Sequence, residues 1–459
     1  MSSLRISLNA RKGFVCSAAM AMALVLLPGA NALANTVWQV SKSSSNATCS
    51  LAKTTCNTIQ SAVDAASAFD VIVVGPGTYR ESVYVGTYNL TILGTQAGKD
   101  ARNREPINES IVDATGQGSG RGHGAAFYFD DESDNVVDGF TIQGGTGGAA
   151  AAGIYNYIDY TDQYVNNIIQ NNAVGIYLCE SGEGVLVRHN LIKNNNRGAV
   201  GVDETHPADT ESTVIPGPGF GVVLYDSGGA VAISQNAFAG NMAVAIFVFN
   251  SGGGVEITQN TSNGDGSLAV LYEAEEGVNI SQNSGQNFGA SGFLPVNGAT
   301  NADAAIEFFQ ENYFGEISDN ILVGGGAANY SGIECSAQPF SGGAPREVCG
   351  AFQISSNRIS QFTGNGIVAE AATGDEITMD DCGLSANQVE ENGLAGIHIG
   401  AAAQNGYNTV SNNHVVENHK VDCQDDTSGS GSGTPATADT WVNNVGWSLP
   451  PGLCNYTGE

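Results

Sequence analysis

Three glutamates lie in short apolar segments, and their residue type is the one that acid–base chemistry on sugars requires. Glu273 ends the segment AVLYE, Glu307 lies in AIEFF and Glu334 lies in GIECS. Two carboxyl groups about 5 to 9.5 Å apart can act as general acid and as nucleophile or base in glycoside hydrolysis. Because the chain has 46 acidic residues, chance placement on one face is the competing interpretation. We name these three glutamates as candidate catalytic residues.

Aromatic residues occur in the same kind of segment, where they would bind a substrate without reacting with it. The segments GIYNY, GIYLC, GVVLY, AIFVF and AIEFF place them at alternate positions, so that aliphatic neighbours pointing inward leave the rings pointing outward. Rings repeated about 4.8 Å apart would form a flat ledge suited to sugar stacking. The candidate substrate-binding residues are Tyr155, Tyr157, Tyr177, Tyr225, Phe247, Phe249 and Phe309.

The same register extends the outward-facing row beyond the aromatic residues. It places these further residues outward: Leu271, Glu273, Glu307, Glu334 and His398. Glu180 and Asp226 fall at the turn just after the strand. The insertion 198–219 precedes GVVLY, and it forms either a wall beside the ledge or a cover under which the aromatic residues merely pack.

An acidic cluster, FDDESDNVVDG, provides oxygen atoms of the kind that calcium binds. Asp130, Asp131 and Asp134 are the candidate ligands. A solvated acidic turn is the alternative interpretation. The residues indicate no cofactor other than this calcium ion, and the six histidines lack metal-ligand spacing.

Segments that end in asparagine recur along most of the chain and indicate its architecture. VLVRHN, VAISQN and VEITQN are three of them, and neighbouring copies without insertions are 23 or 24 residues apart. The series comprises Asn167, Asn190, Asn236, Asn260, Asn283, Asn320, Asn357, Asn387 and Asn412. A fixed period of this length is typical of a solenoid.

Each copy contains three short strand-like pieces, which in one copy are Ile176–Leu178, Val185–Val187 and Leu191–Ile192. Three strands per coil predict an all-β, right-handed parallel β-helix with three faces, in which each strand pairs with its counterpart one coil later. At the bend, an asparagine tolerates a left-handed backbone and can bond to the same residue in the adjacent coils.

The two ends of the chain have their own signals. Residues 1–34 combine basic residues, a short apolar run and a small-residue cleavage site, which predicts a secretory signal peptide. Eight cysteines follow, an even number that favours disulfides in an exported protein. Proximity in sequence suggests three pairs, with Cys179 and Cys382 left to each other or unpaired: Cys49–Cys56, Cys335–Cys349 and Cys423–Cys454.

The formal net charge of −30 limits the partners of the protein. Phosphate recognition needs clustered lysine and arginine, so we expect no nucleic-acid binding. A polyuronate would be repelled unless calcium bridged the carboxylates, so that a neutral extracellular polysaccharide is the easier partner. We also expect no membrane span after the signal, and a monomer.

The motifs CNTIQSAVDAASAFDVIVVGPGTYRESVYVGTYNLTILG, VVDGFTIQGG and WVNNVG…PPGLC resemble those of the pectin lyase-like superfamily. The resemblance implies an N-terminal helix, 58–68, that covers the open end of the coil. We therefore expect a signal peptide at 1–34, a segment with this capping helix at 35–70, the β-helix at 71–424, and a flexible crossing with a disulfide-tied tail at 425–459.

The activity is less well indicated than the fold, because this scaffold carries enzymes and non-enzymatic adhesins. No catalytic signature of pectate lyases, polygalacturonases or alginate epimerases is complete in this chain. One hypothesis is a secreted protein that binds an extracellular polysaccharide along the aromatic ledge, with or without lyase or hydrolase activity. The other is a non-catalytic surface scaffold of the adhesin type.

Overall fold

Short strands separated by bends make up most of the described chain. The computed structural model describes residues 35–131, 133–198, 218–274, 277–289, 303–309, 312–337, 349–371, 379–403, 408–429 and 437–455. Consecutive strands enter three different sheets in turn, as Leu186–Arg188, Leu191–Lys193 and Phe220–Tyr225 do. The prediction of three strands per coil is confirmed, because every pairing between strands is parallel and joins neighbouring coils.

The three sheets, named A, B and C, contain 16, 14 and 13 strands within the described ranges. Sheet A consists of Val37–Val40, Thr55–Cys56, Val71–Val74, Thr91–Leu93, Val136–Asp138, Gln163–Val165, Leu186–Arg188, Ala232–Ser234, Glu256–Thr258, Val278–Ser281, Asn312–Ser318, Cys349–Ser355, Met379–Asp380, Gly383–Ser385, Thr409–Ser411 and Thr440–Val442. Sheet B consists of Gly77–Tyr79, Ser110–Asp113, Phe140–Gln143, Ile168–Gln170, Leu191–Lys193, Ala237–Ala239, Thr261–Asn263, Ser284–Gln286, Ile321–Val323, Arg358–Ser360, Gln388–Glu390, His414–Val416, Asn444–Val445 and Cys454–Asn455. Sheet C consists of Val83–Val85, Phe127–Asp130, Ala152–Tyr157, Val174–Cys179, Phe220–Tyr225, Val244–Phe249, Ser267–Tyr272, Ala304–Phe309, Ser331–Ala337, Ile367–Ala371, Ala395–Ile399, Val421–Asp425 and Ser448–Leu449.

The coil continues on both sides of the limits 71 and 424 that the sequence suggested. Val37–Val40 pairs with Val71–Val74 at one end, and Cys454–Asn455 pairs with Asn444–Val445 at the other. Residues 1–34, which carry the predicted signal peptide, lie outside the described residues. Among the described residues, no helix is long and apolar enough to cross a membrane.

A short helix lies where the sequence predicted one, at Ile59–Ala65. Thr58 begins it by accepting a hydrogen bond from the backbone N–H of Ser61, 3.3 Å away, which satisfies one of the N–H groups that a helix start leaves without a partner. Ile59, Ala62 and Val63 are buried in the core that the three sheets share. The role of the helix as an end cap stays a prediction. Two 3₁₀ turns, Ala101–Asn103 and Ala401–Ala403, complete the helical structure of the described chain.

The predicted asparagine ladder is present and fully buried. The side-chain oxygens of Asn260, Asn283 and Asn320 each accept hydrogen bonds from the backbone N–H and the side-chain amide of the preceding ladder member, at 2.9–3.1 Å. The final coils correct one assignment, because Asn413 and not Asn412 bonds to Asn387. The residue with the left-handed backbone is not the ladder asparagine itself but the residue before it. Gln259, which precedes Asn260, has a φ of 56°. The bend therefore falls one residue earlier, and it turns the asparagine side chain into the coil.

A second buried ladder, which the sequence analysis missed, ends on a carboxyl group. It runs through Asn172, Asn195 and Asn241 to Asp265. Asp265 accepts from the amide of Asn241 at 2.9 Å and from the hydroxyl of Ser262 at 2.7 Å. Burial raises the pKa of Asp265 from 3.8 to about 6, even though these hydrogen bonds oppose the shift.

Replacing Asp265 by asparagine should stabilise the protein at pH 8. An acid whose folded pKa lies above its unfolded value stabilises the fold only while protonated, so this contribution is lost as pH rises from 3.8 to about 6. Two pKa units correspond to about 3 kcal/mol, and we expect Asp265→Asn to recover about 1–3 kcal/mol at pH 8. Chemical denaturation of the wild type and the variant at pH 8 and pH 4 measures this difference in the free energy of unfolding. Glu105→Gln, on an exposed carboxyl, should change neither value, and an equal gain for Asp265→Asn at both pH values would contradict the prediction.

The three predicted disulfides are confirmed: Cys49–Cys56, Cys335–Cys349 and Cys423–Cys454. The first joins a bend to the strand Thr55–Cys56, and the last ties the C-terminal coil back to sheet C. Cys179 and Cys382 are buried and not disulfide-bonded. Disulfides of this number are typical of proteins that fold outside the reducing cytosol.

Candidate functional site

The outward face of sheet C, here called the outer wall, carries most of the predicted functional residues in two parallel rows. Pairing across the sheet aligns residues of successive coils at the same depth, one strand spacing apart. The second row lies two residues further along each strand and contains Tyr157, Cys179, Tyr225, Phe249, Tyr272 and Phe309. The first row begins with aromatic residues and ends with polar ones. Its members are Tyr128, Tyr155, Tyr177, Val223, Phe247, Val270, Glu307, Glu334, Val368, His398 and Gln424.

The candidate aromatic residues point outward from the coil, but the exposure that an open ledge would need is not found. Tyr155 and Tyr177 stack with ring centroids 5.0 Å apart, and Tyr225 stacks on Phe249 at 5.2 Å. Among the candidate binding residues only Tyr157 is partly exposed, and the exposed fractions of the others are at most 7%: Tyr155, Tyr177, Tyr225, Phe247, Phe249 and Phe309. These side chains pack with Phe220 and Val244 in a second hydrophobic cluster. The outer wall is therefore a second core over these coils and offers no open ledge.

The register of one strand differs from the prediction by one residue. Leu271 points into the core and Val270 and Tyr272 point outward, because Ala269 takes the inward place that Ile246 takes one coil earlier. Glu273 then falls beyond the strand, at a left-handed bend with φ 51°. Its assignment to the same face as the other two candidate catalytic residues is wrong.

Glu307 and Glu334 are brought together as direct register partners on adjacent strands. Adjacent parallel strands place such residues about 4.8 Å apart. Glu307 is 1% exposed and accepts a hydrogen bond from the backbone N–H of Asp303 at 2.8 Å, whereas Glu334 is half-buried. Burial and then the charge of Glu334 raise the pKa of Glu307 well above its ordinary value. The raised pKa favours the protonated form of Glu307 beside a second carboxyl group.

A histidine–carboxylate pair lies two strands beyond Glu334 on the same wall. His398 Nε2 is 2.9 Å from Asp426 Oδ2, and the amide of Gln424 donates to the same carboxylate at 2.9 and 3.1 Å. His398 is largely buried and Asp426 is about half exposed. Asp426 orients the imidazole ring, which is the arrangement that a proton-transferring histidine requires. The alternation of residues in the sequence placed His398 on the outward face, whereas nothing in the sequence pattern pointed to Asp426, 28 residues away.

A cleft of about 890 Å³ lies where the outer wall bends into sheet A. Its lining residues come from bends on three successive coils: Tyr160, Thr161, Glu180, Ser181, Gly182, Glu183, Asp226, Gly228 and Gly229. The predicted position of Glu180 and Asp226 just after their strands is confirmed, and the backbone N–H of Glu180 bonds to Tyr225 O at 2.8 Å. Tyr160, Thr161 and Glu183 were not identified from the sequence, because bend residues carry no periodic pattern.

The acidic cluster does not assemble a metal site within the described residues. Asp130 accepts from the hydroxyl of Tyr84 at 2.8 Å, and Asp134 accepts from Thr161 and Asn89. No group of three or more histidine, cysteine or acidic residues among those described could hold a metal ion. Calcium binding by Asp130, Asp131 and Asp134 stays a prediction. The insertion at 198–219, predicted to be a wall or a cover, lies outside the described residues from 199 to 217.

Comparisons with known proteins agree with this architecture. Residues 107–262 match the family model of the right handed beta helix region. No curated protein sequence matches the chain. Similar solved structures include an alginate lyase from Paenibacillus sp., with 17% identity, a TM-score of 0.40, and coverage of 74% of this chain and 94% of that one. PfbA, a surface adhesin of Streptococcus pneumoniae, has 13% identity, a TM-score of 0.40, and coverage of 81% and 89%.

A third similar structure is DFA-IIIase from Arthrobacter chlorophenolicus in complex with GF2, with 12% identity, a TM-score of 0.38, and coverage of 76% and 83%. The parallel pairing of three sheets and the match over residues 107–262 rest on different observations. Both agree with the resemblance in the sequence motifs. The chain therefore has a right-handed parallel β-helix fold.

Proposed function

We propose that this is a secreted protein that binds a neutral extracellular polysaccharide against sheet C and hydrolyses it with Glu307 and Glu334. The carboxyl pair carries the proposal, because perturbed carboxyl groups on one face are the usual requirement for acid–base catalysis. The disulfides fit an extracellular location, and the net charge of −30 favours a neutral substrate.

The two glutamates have different roles in this proposal. Glu307, held protonated, would donate its proton to the glycosidic oxygen as the bond to the leaving sugar breaks. Glu334, the more exposed of the two, would attack the anomeric carbon and form a glycosyl ester, which water then hydrolyses. A separation of about 5 Å between carboxyl groups is that of the retaining mechanism. His398 and Asp426 lie on the same wall, where they could orient the sugar hydroxyls.

Glu307→Gln and Glu334→Gln should each lower the rate of reducing-end release at least about 100-fold. The assay uses a panel of neutral and uronate polysaccharides, and absorbance of unsaturated products detects a lyase in the same samples. Glu316→Gln is the matched control, because this exposed glutamate lies on sheet A of the same coil. Activity that survives both substitutions, or unsaturated products, would rule out the proposed mechanism.

A non-catalytic surface scaffold is the second candidate function. The observation that favours it is the burial of the aromatic row and of Glu307, both of which then serve stability. A scaffold would release no product from any polysaccharide of the panel, and Glu307→Gln would change only its stability.

A further inference from the structure

The cleft between the outer wall and sheet A, here called the corner cleft, contains an aromatic ring that packs against a glycine of the next coil. Tyr160 is 46% exposed and lines the cleft. Its ring lies directly over Gly182 on the next coil, so closely that a Cβ atom at residue 182 would come within 1.7 Å of two ring carbons. A side chain at position 182 would displace the ring, which lies flat against the backbone of Gly182 and remains partly exposed on its other side.

Three carboxylates line the same cleft as this ring: Glu180, Glu183 and Asp226. Glu180 and Asp226 follow paired strands, so they stand one strand spacing apart, and the exposed Glu183 lies three residues beyond Glu180. Carboxylates accept hydrogen bonds from hydroxyl groups more strongly than neutral acceptors do. Gly228 and Gly229 line the cleft without side chains and leave it open. A flat ring beside strong acceptors suits the apolar face and the hydroxyl edge of a sugar.

We propose that the corner cleft is a second carbohydrate-binding site that holds a distal part of the polysaccharide whose cleavage is proposed above. The proposal rests on that function for its substrate class. Asp226 and Glu307 belong to strands three spacings apart in sheet C, about 14 Å along the axis of the coil. A chain of several sugars can span this distance, whereas a short oligosaccharide at the carboxyl pair cannot reach Tyr160. The cleft would therefore select for polymer length.

Two substitutions act on the ring without touching the carboxyl pair. Tyr160→Ala removes it, and Gly182→Ala displaces it while keeping every polar group of the cleft. Their matched controls are Tyr88→Ala, at an exposed tyrosine elsewhere, and Gly147→Ala, where an added Cβ meets no atom within 4 Å. We expect both cleft variants to raise KM for the long polymer about tenfold, the equivalent of one aromatic contact, with kcat unchanged. Short substrates and both controls should show wild-type values.

Direct binding separates this proposal from the proposed hydrolysis. In affinity electrophoresis against the same polysaccharides, the wild type should be retarded and Tyr160→Ala should not, whether or not any product is released. If no polysaccharide is cleaved but binding that depends on Tyr160 is observed, the proposed hydrolysis is overturned and the proposed cleft site is supported. Equal retardation and equal KM for Tyr160→Ala, Gly182→Ala and the wild type overturn the cleft site. Calcium titration that is weakened by Glu180→Gln, with no effect on polysaccharide binding, would assign the cleft to a cation instead and overturn it as well.

Discussion

Replacing Asn260 by alanine should lower the free energy of unfolding by about 3–6 kcal/mol. The side chain accepts from the backbone N–H and the amide of Asn236 at 2.9 and 3.1 Å, and donates to Ile233 O at 2.8 Å and to Asn283. Alanine leaves these buried groups without partners, and each such group costs about 1–3 kcal/mol. Water cannot replace the lost bonds, because the position is 1% exposed.

Gln259→Asn is the control for the ladder. Gln259 lies next to Asn260 and takes part in an exposed row of amides, with hydrogen bonds of 2.7 and 2.9 Å to Gln235 and Gln282. Asparagine tolerates its left-handed backbone, so the change should stay within about 0.5 kcal/mol. Denaturant unfolding followed by circular dichroism measures both variants. A loss below about 1 kcal/mol for Asn260→Ala would show that the inner ladder does not hold the coils together.

Replacing Phe247 by alanine should cost about 3–5 kcal/mol, because this outward-facing ring is as buried as a core residue. It is 1% exposed and packs against Phe220 and Phe249, at centroid distances of 5.4 and 6.3 Å. Truncation of a buried phenylalanine removes its transfer free energy and leaves a cavity. An aromatic ledge in contact with water would instead lose almost nothing on truncation.

Two further variants bracket this result. Phe247→Leu keeps an apolar side chain in the cluster and should cost less than about 1.5 kcal/mol. Phe314→Ala, at a phenylalanine that is 64% exposed, should change stability by less than about 1 kcal/mol. Thermal and denaturant unfolding report all three. If Phe247→Ala resembled Phe314→Ala, the outer wall would be an open surface, and the original prediction of a sugar-binding ledge would stand.

The fold was largely predictable because its interactions repeat. The terminal asparagines and the strand-sized pieces between them recur at a constant spacing, and stacking of identical coils follows from that spacing alone. The disulfides were predictable for a similar reason, since each joins cysteines at most 31 residues apart. The error at Leu271 arose where the pattern is weakest, because Val270, Leu271 and Tyr272 are all apolar and either register fits the sequence.

The candidate site was predictable only in part. The alternation of residues placed Glu307 and Glu334 on one face, and the structure aligns them as neighbours. The hydrogen bond of His398 with Asp426 and the packing of Tyr160 on Gly182 are contacts between residues that are 28 and 22 positions apart in sequence. No local periodicity encodes such contacts, because bends vary in length from coil to coil.

The sequence by itself determined the path of the backbone, the three faces and the buried asparagine ladder, because all of these follow from a repeat of fixed period. It also determined the disulfides, because the paired cysteines lie close together in the chain. Only the tertiary structure decided which outward-facing side chains meet water, since burial depends on everything that packs against a face from elsewhere in the chain. For that reason the aromatic row, outward by its alternation, became a second core. The features that remain suited to catalysis or ligand binding are the carboxyl pair at Glu307 and Glu334 and the open cleft around Tyr160.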